Sequence, residues 1–331
     1  MSAVKAKRMN MSQAIAMAMH HAMEMDSSVV ALGEDIADPQ GGGVFKCTAG
    51  LSDAFGTDRV RSTPIAEQAI MGAAVGGALA GLRPVAEIML MNFITVAMDQ
   101  VVNHAAKLRF MTGGQTNVPL TIRTATGAGF GTGGQHADYL EAWFAHTAGM
   151  KVVAPSTPAD AYGLLLSCIF DDDPCVFVES LPLYFQMGEA PVPGERIPLG
   201  KARIAREGSD ISVISYSRTM VEVLAVAKDL EKEGISVEVI DLRSIVPLDM
   251  DTVLTSVRKT GRAVIAHEAQ VDFGVGAEIA TRLHSELFGE LRAPVGRVGA
   301  ARSPVPFSKA LEDVFIPTKE RIAAAIHAAL K

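Results

Sequence analysis

Two residues stand where their type and setting could do chemistry. Glu67 is the only charge in STPIAEQAIMGAAVGGALAGL, the run from Ser62 to Leu82. A carboxylate there has two readings. Ser62 or Thr63, ahead of Pro64, can cap a helix whose first turn carries Glu67, where an acid favours the helix dipole. Alternatively, Glu67 is a buried acid whose pKa is raised by desolvation, so that it can share a proton with a ligand. Gly72, Gly76, Gly77 and Gly81 in the same run would let another helix pack very close, as in a subunit contact that shields the acid from water.

His136 closes the second stretch, GAGFGTGGQH (127–136). Gly129, Gly131 and Gly134 make a formal G-x-G-x-x-G after an apolar strand. A dinucleotide fingerprint would need an acid at the end of the next strand, about twenty residues on. That strand is KVVAPS (151–156), which has none, and no G-K-[ST] exists to make a P-loop. The pattern therefore reads as a loop of close backbone approach that carries His136. Imidazole suits proton transfer near neutral pH; the alternative is a capping or partly exposed histidine at a helix boundary. The other histidines show no metal-ligand spacing such as H-E-x-x-H.

These residues need elements to hold them. Apolar strands are expected at 28–34, 83–93, 118–125, 151–156 and 175–180, with helices at 66–81, 94–111, 138–147 and 158–170. A first helix is expected after Ser12 as its cap, with Ile15, Met19, Ala22 and Met25 on one face. Strands this apolar suit a parallel sheet covered on both faces. MGEAPVPGERIPLGKA (187–202) is rich in proline and glycine and reads as a linker. The alternation then restarts, with strands at 211–217, 236–243 and 263–269 and helices at 219–233, 249–259, 274–288 and 319–330. The expected fold is α/β, with two doubly wound, mostly parallel-sheet domains over 1–186 and 203–331.

Bulk properties narrow the function. The chain has 331 residues, 49% hydrophobic and 20% charged, with a net charge of −7, which argues against nucleic acid as the main partner. Cys47, Cys168 and Cys175 form no CxxC, so a disulfide scaffold or structural zinc is not expected and a reducing compartment fits. Lys5, Lys7 and Arg8 are followed by no long apolar run, so no signal peptide is expected. The 62–82 run is long enough to span a bilayer, but its glycines, Pro64 and Glu67 favour a buried, tightly packed helix.

Several separated motifs together resemble a known family. TPIAEQAIMGAAVGGALAGLRPVAEIM, NFITVAMDQVVNHAAKLRFMTGG, VPLTIRTATGAG, GGQHADYLEAWFAHTAGMKVVAPSTPADAYGLLLSCIFDDDP, EVIDLRSIVPLD and KTGRAVIAHEA closely resemble the β subunit of the thiamine-diphosphate-dependent E1 component of 2-oxo acid dehydrogenase complexes. The family includes pyruvate, branched-chain and acetoin dehydrogenases and belongs to the transketolase-like superfamily. The resemblance spans about residues 10–330 and keeps the motifs in order. It implies a transketolase-like pyrimidine domain followed by a transketolase C-terminal-like domain for dimerisation and E2 docking.

The resemblance assigns roles. It implies that Glu67 hydrogen-bonds N1′ of the cofactor aminopyrimidine and stabilises its imino tautomer. Phe93 falls where an aromatic ring packs on that pyrimidine, and Ile65 at a pocket position. His136 matches the active-site histidine, which assists proton transfer or orients the intermediate for acyl transfer to lipoamide. A monovalent-cation site, K+ by implication, maps near Leu120, Thr121, Cys168, Asp171 and Asp173; read locally, Asp171–Asp173 before Pro174 would pass as a helix-ending turn. No GDG occurs in this chain, so the half-site that holds Mg2+ and the diphosphate falls to an α subunit, giving an α2β2 heterotetramer. With α, the chain would decarboxylate a 2-oxo acid and acylate a lipoyl-bearing E2. Cleavage of acetoin, or a transketolase-type carboligase or cleavage reaction without E2, is the alternative. No nucleic-acid or membrane partner is expected, and the location implied is the cytoplasm, bacterial in type, with the mitochondrial matrix also compatible. Ala137 and Asp138, where the family often reads Ser and Gln, and VGAARSPVPFSKALE near the C-terminus depart from the family pattern.

Overall fold

The computed structural model describes residues 8–331; Lys5 and Lys7 lie outside the described residues. Two compact units emerge. The first runs to Thr126 and resumes over Trp143–Leu199; the second is Gly127–Ala142 together with Gly200–Lys331.

In the first unit, parallel strands β1 (Val29–Glu34), β2 (Val60–Thr63), β3 (Arg83–Leu90), β4 (Thr121–Thr126), β5 (Lys151–Val153) and β6 (Cys175–Ser180) run in the order β5-β6-β4-β3-β1-β2. Every residue of β4 and β6 is buried, so apart from the paired Arg123 and Glu179 their sequences are apolar or small on both faces. Helix α1 (Met11–Met25) packs on α3 (Pro158–Ile169). Asn10, rather than Ser12, caps α1: its side chain accepts the Gln13 N–H, and Gln13 returns the bond, in a capping box. The buried face of α1 is Met11, Ala14, Ile15, Ala18, Met19, Ala22 and Met23, while Met25 is exposed.

Helix α2 (Glu67–Leu79) buries Ile70, Met71, Ala74, Val75 and Ala78. Gln68, Ala69, Ala73, Gly76 and Leu79 are exposed. The fully buried helix expected from the sequence is therefore covered on one face only. Small residues all round α2 give no polar stripe by which the sequence could mark the open side. No described helix is long and apolar enough to cross a membrane. The continuous helix expected over 94–111 breaks into a 3-10 segment Met91–Ala97, a π-helical segment Asp99–Ala105 and a short turn Leu108–Met111.

The second unit holds β7 (Arg203–Arg206), β8 (Ile211–Ser215), β9 (Val237–Asp241), β10 (Ala263–Gln270) and β11 (Gly296–Ala300), ordered β11-β10-β8-β9-β7. All pairs are parallel except the antiparallel edge strand β7. Ile211, Val213, Val237, Val239 and Val264 pack against Val223 and Ala227 of α4 (Thr219–Glu231) and Ile322 and Ile326 of a C-terminal helix, Lys319–Leu330. Helix α5 (Met250–Thr260) starts on Asp249, whose side chain accepts the Thr252 N–H, and stops at Gly261 in the left-handed region. Strands β2, β7 and β11 and the helix α6 (Lys309–Phe315) were not expected from the sequence. The strands are short, partly exposed and interrupted by arginines, so they carry no apolar run.

Candidate active site

In an open α/β sheet, ligands bind beyond the carboxyl ends of the strands where the strand order reverses. In the first unit the chain passes from β1 to its neighbour β2, then crosses to β3 on the other side of β1. The reversal lies at β1. Glu34 ends β1 in register with Thr63 at the end of β2. Glu67 opens α2 directly after β2, and Phe93 follows β3 in the first 3-10 turn. Ile65 is 75% exposed, and Glu67 and Phe93 are half-buried. Ile65 and Glu67 thus lie past the carboxyl end of β2, and Phe93 past that of β3, on either side of β1.

Glu67 is not locked into a helix cap. Ala66 is the N-cap and supplies no side-chain bond. Ser62 Oγ instead accepts the Ala37 N–H at 2.9 Å and donates to Gln40 Oε1 at 3.1 Å. Among the described residues, neither the Glu67 nor the Glu34 carboxylate makes a hydrogen bond or ion pair, and the buried Thr63 Oγ1 has no partner. Burial, then the charges of Asp35 and Glu67, push the Glu34 carboxyl above its ordinary value. Two acids and an orphaned hydroxyl fit a ligand that brings a ring nitrogen and an amino group. Glu34 escaped sequence reasoning; an acid ending an apolar parallel strand was the available signal.

The central strands themselves carry a buried ion network. Arg123 on β4, 2% exposed, binds Glu87 on β3 at 2.5 Å and Glu179 on β6 at 2.8–2.9 Å. Tyr184 donates to Glu179, and its ring packs on Phe45 at 5.1 Å. Such a triad braces three central strands in a fixed register.

The proposed cation residues lie at the other end of the same sheet. Leu120 precedes Thr121, the first residue of β4, and Asp171 and Asp173 precede β6. Leu120 O accepts the Cys175 N–H at 2.9 Å, and Cys168 O accepts the Asp171 N–H at 3.2 Å. The Asp171 carboxylate holds Lys151 at 2.6 Å; Asp173 holds Arg109 at 2.6 Å and Lys151 at 3.2 Å. No cluster of three or more His, Cys, Asp or Glu side chains suited to a metal occurs among the described residues. Backbone carbonyls and the buried Thr121 Oγ1, which has no hydrogen-bond partner, remain as the donors a cation would use here. Cys47, Cys168 and Cys175 are buried and free.

His136 belongs to the second unit and is half-buried. Its N–H donates to Gly133 O at 3.2 Å, closing a turn. The preceding N–H groups are already taken: Ala128 donates to Glu268 at 2.7 Å, and Gly129 and Gly131 donate to Glu312 at 2.8 and 3.1 Å. Two carboxylates where a pyrophosphate would sit rule out the dinucleotide reading of this loop. The helix expected at 138–147 is shorter, Glu141–Ala145. Glu141 is fully buried and accepts from Tyr216 Oη at 2.7 Å; burial raises its pKa to about 7. Tyr216 stacks on His267, which burial holds down at about 4.

Comparison with known proteins defines the class first. Residues 7–186 match the model "Transketolase, pyrimidine binding domain", and residues 200–322 match "Transketolase, C-terminal domain". Among solved structures, a split gene transketolase described as an inactive β4 tetramer shares the fold, with TM-score 0.80, 23% identity and coverage of 97% of this chain and 98% of that one.

Closer relatives narrow it. The pyruvate dehydrogenase E1 component subunit beta of Staphylococcus epidermidis is 46% identical over 317 residues, covering 95% of this chain and 96% of the relative. The acetoin:2,6-dichlorophenolindophenol oxidoreductase subunit beta of Cupriavidus necator is 43% identical over 334 residues, 98% of each chain. The corresponding subunit of Bacillus subtilis is 43% identical over 327 residues, 96% of each chain. The chain belongs to the transketolase-like family of E1 β subunits of 2-oxo acid dehydrogenases, oxidoreductase subunits that work with thiamine diphosphate. Membership implies an α-subunit partner.

Proposed function

We propose that this chain and an α subunit form an E1 enzyme that decarboxylates a 2-oxo acid and passes the acyl group to the lipoyl group of an E2. The observation that carries this reading is the unpaired Glu67 at the reversal point of the sheet, beside Glu34 and Thr63. Bound thiamine diphosphate supplies an electron sink for the carbon–carbon bond that breaks. The chain's own residues do the rest. Glu67 holds a proton at the pyrimidine N1′, and Phe93 and Ile65 form the wall against that ring. Desolvation keeps the Glu67–ring hydrogen bond strong, because water no longer competes for either group. His136 handles a proton at the reacting group or orients it for transfer.

The α subunit supplies Mg2+ and the diphosphate contacts, since no GDG is present. The exposed small-residue face of α2, beginning at Gln68, supports an α contact that covers Glu67. A K+ ion at the amino end of the sheet would rest on carbonyls near Leu120, Thr121, Cys168, Asp171 and Asp173. Three free cysteines suit a reducing compartment, the cytoplasm in this reading. The near-equal identity to an acetoin-acting relative supports acetoin as the second substrate reading. Reconstitution with α and assay against a panel of 2-oxo acids and acetoin decides between them. Full turnover by Glu67→Gln would overturn the role given to Glu67.

A further inference from the structure

Five residues of the glycine loop, Gly129–Gly133, include three glycines with φ of +111°, +66° and +73°. Backbone bent in this way has no ladder to satisfy its N–H groups. The second unit supplies acceptors from far along the sequence. Glu312 on α6 is 2% exposed; its Oε1 takes the Gly129 N–H at 2.8 Å, and its two oxygens take the Gly131 N–H at 3.2 and 3.1 Å. Glu268, 5% exposed, takes the Ala128 N–H at 2.7 Å, while Arg218 donates to Ala128 O at 3.0 Å. The segment ahead of α6 closes over the far side. A Cβ on Gly133 would fall 2.3 Å from the Phe307 ring, and one on Gly134 would fall 3.2 Å from Pro304.

Burying a carboxylate is costly unless donors meet it. Here the donors belong to a loop whose Gly129, Phe130 and Gly131 are themselves exposed. The arrangement does not fill a core; it fixes a backbone. What the fixed backbone leads to is His136, whose N–H closes the turn on Gly133 O. The geometry points to Glu312 as a positioning residue: by gripping the N–H groups of Gly129 and Gly131 it sets the loop that presents His136 for acyl transfer. Phe307 and Pro304 limit the loop's travel from the other side, and Glu268 with Arg218 anchors its first residue. The segment that departs from the family pattern, VGAARSPVPFSKALE, is thus the one that holds the histidine loop. This inference rests on the role given above to His136.

The test uses the assembled α/β enzyme with its E2 lipoyl domain, and the variants Glu312→Ala, Glu312→Gln and His136→Ala. Hydrogen exchange over residues 127–137 reads the loop; acylation of the lipoyl domain and dye-coupled turnover with 2,6-dichlorophenolindophenol read the reaction. In Glu312→Ala the loop amides should exchange about tenfold faster or more, as the Gly129 and Gly131 N–H groups lose their acceptor. The kcat for lipoyl acylation should fall by about tenfold or more, with KM for the 2-oxo acid within about twofold and dye reduction less affected. Glu312→Gln keeps an oxygen within reach of both amides and should recover most of that kcat. A purely structural clamp predicts a lower Tm with kcat of the folded enzyme unchanged. Unchanged loop exchange, or unchanged kcat in Glu312→Ala beside an impaired His136→Ala, overturns the positioning role. Normal acylation by His136→Ala overturns the reading of His136 instead, while the exchange data still report on the clamp. If Glu312→Ala does not accumulate, Glu312→Asp, one methylene short of both amides, is judged by the same criteria.

Discussion

Glu268 and Glu312 in the second unit are almost wholly buried; both Glu312 oxygens and Glu268 Oε1 accept backbone N–H groups, and Glu268 Oε2 makes no hydrogen bond but lies 3.7 Å from the Arg218 guanidinium. Glu34 and Glu67 in the first unit are half-buried at strand ends, and no described residue bonds to either carboxylate. The first pair spends most of its bonding capacity inside the chain, on one loop and one arginine. The second pair is brought together at a cost in like-charge repulsion and keeps its bonding capacity for something else. Full burial alone therefore does not mark a functional acid. Unspent hydrogen-bonding capacity at a sheet reversal does.

The largest expected effect tests the unspent pair. Glu67→Gln should reduce turnover with the α partner by about 10³-fold, within the range of a lost acid/base group, and leave Tm within about 2 °C, because no bond inside the chain is lost. An equal fall in Tm and activity would place Glu67 with the structural acids.

His136→Ala should lower lipoamide acylation by about 10²-fold and leave cofactor affinity within a few-fold. Isothermal calorimetry and single-turnover acylation on the same preparation read both. A drop in Tm with normal acylation would make the loop purely structural.

Glu141 sharpens the comparison through pH. Burial raises its carboxyl from 4.5 to about 7, so its stabilising contribution is fully present below pH 4.5 and is lost as pH rises through about 7. Glu141→Gln cannot ionise and can still accept from Tyr216. Its Tm relative to the unmodified chain should rise by a few degrees between pH 5 and pH 8; a constant difference would refute the assignment.

The smallest effect concerns α2. A Cβ at Gly76 meets nothing within 4 Å, so Gly76→Ala should stabilise the isolated chain by about 0.5–1 kcal/mol through helix propensity. If the open face is an α contact, the same change should weaken assembly, measured by analytical ultracentrifugation. Unaltered assembly would remove the face from that contact.

Much of this was legible in the sequence. The apolar strands at 28–34 and 175–180 and the helices at 158–170 and 319–330 reappear nearly as expected, because long runs with a clear period depend little on context. Glu67 was legible as a lone charge in an apolar run. Its partner Glu34 was not, since an acid ending one strand gains meaning only when β2 is known to pair beside it, and β2 itself, VRST, has no apolar run. Glu312 was hidden for a different reason. It lies more than 180 residues from the amides it holds, and nothing in KALED distinguishes a buried helix acid from a solvated one. The open side of α2 was illegible because alanine and glycine suit either environment.

The chain leaves its first unit after Thr126 and returns at Trp143, carrying His136 on the excursion. A polypeptide ending at Leu199 would keep the glycine loop but lose Glu268 and Glu312; one beginning at Gly200 would keep both charges and lose the amides that quench them. For this reason the loop and the acids that hold it are complete only when both segments are present. A gene crossover near codon 200 between distant relatives would join a loop to acids that never evolved with it, although each half matched its own family model. Successful exchange in this lineage should instead carry the codons for 127–142 along with those after 200.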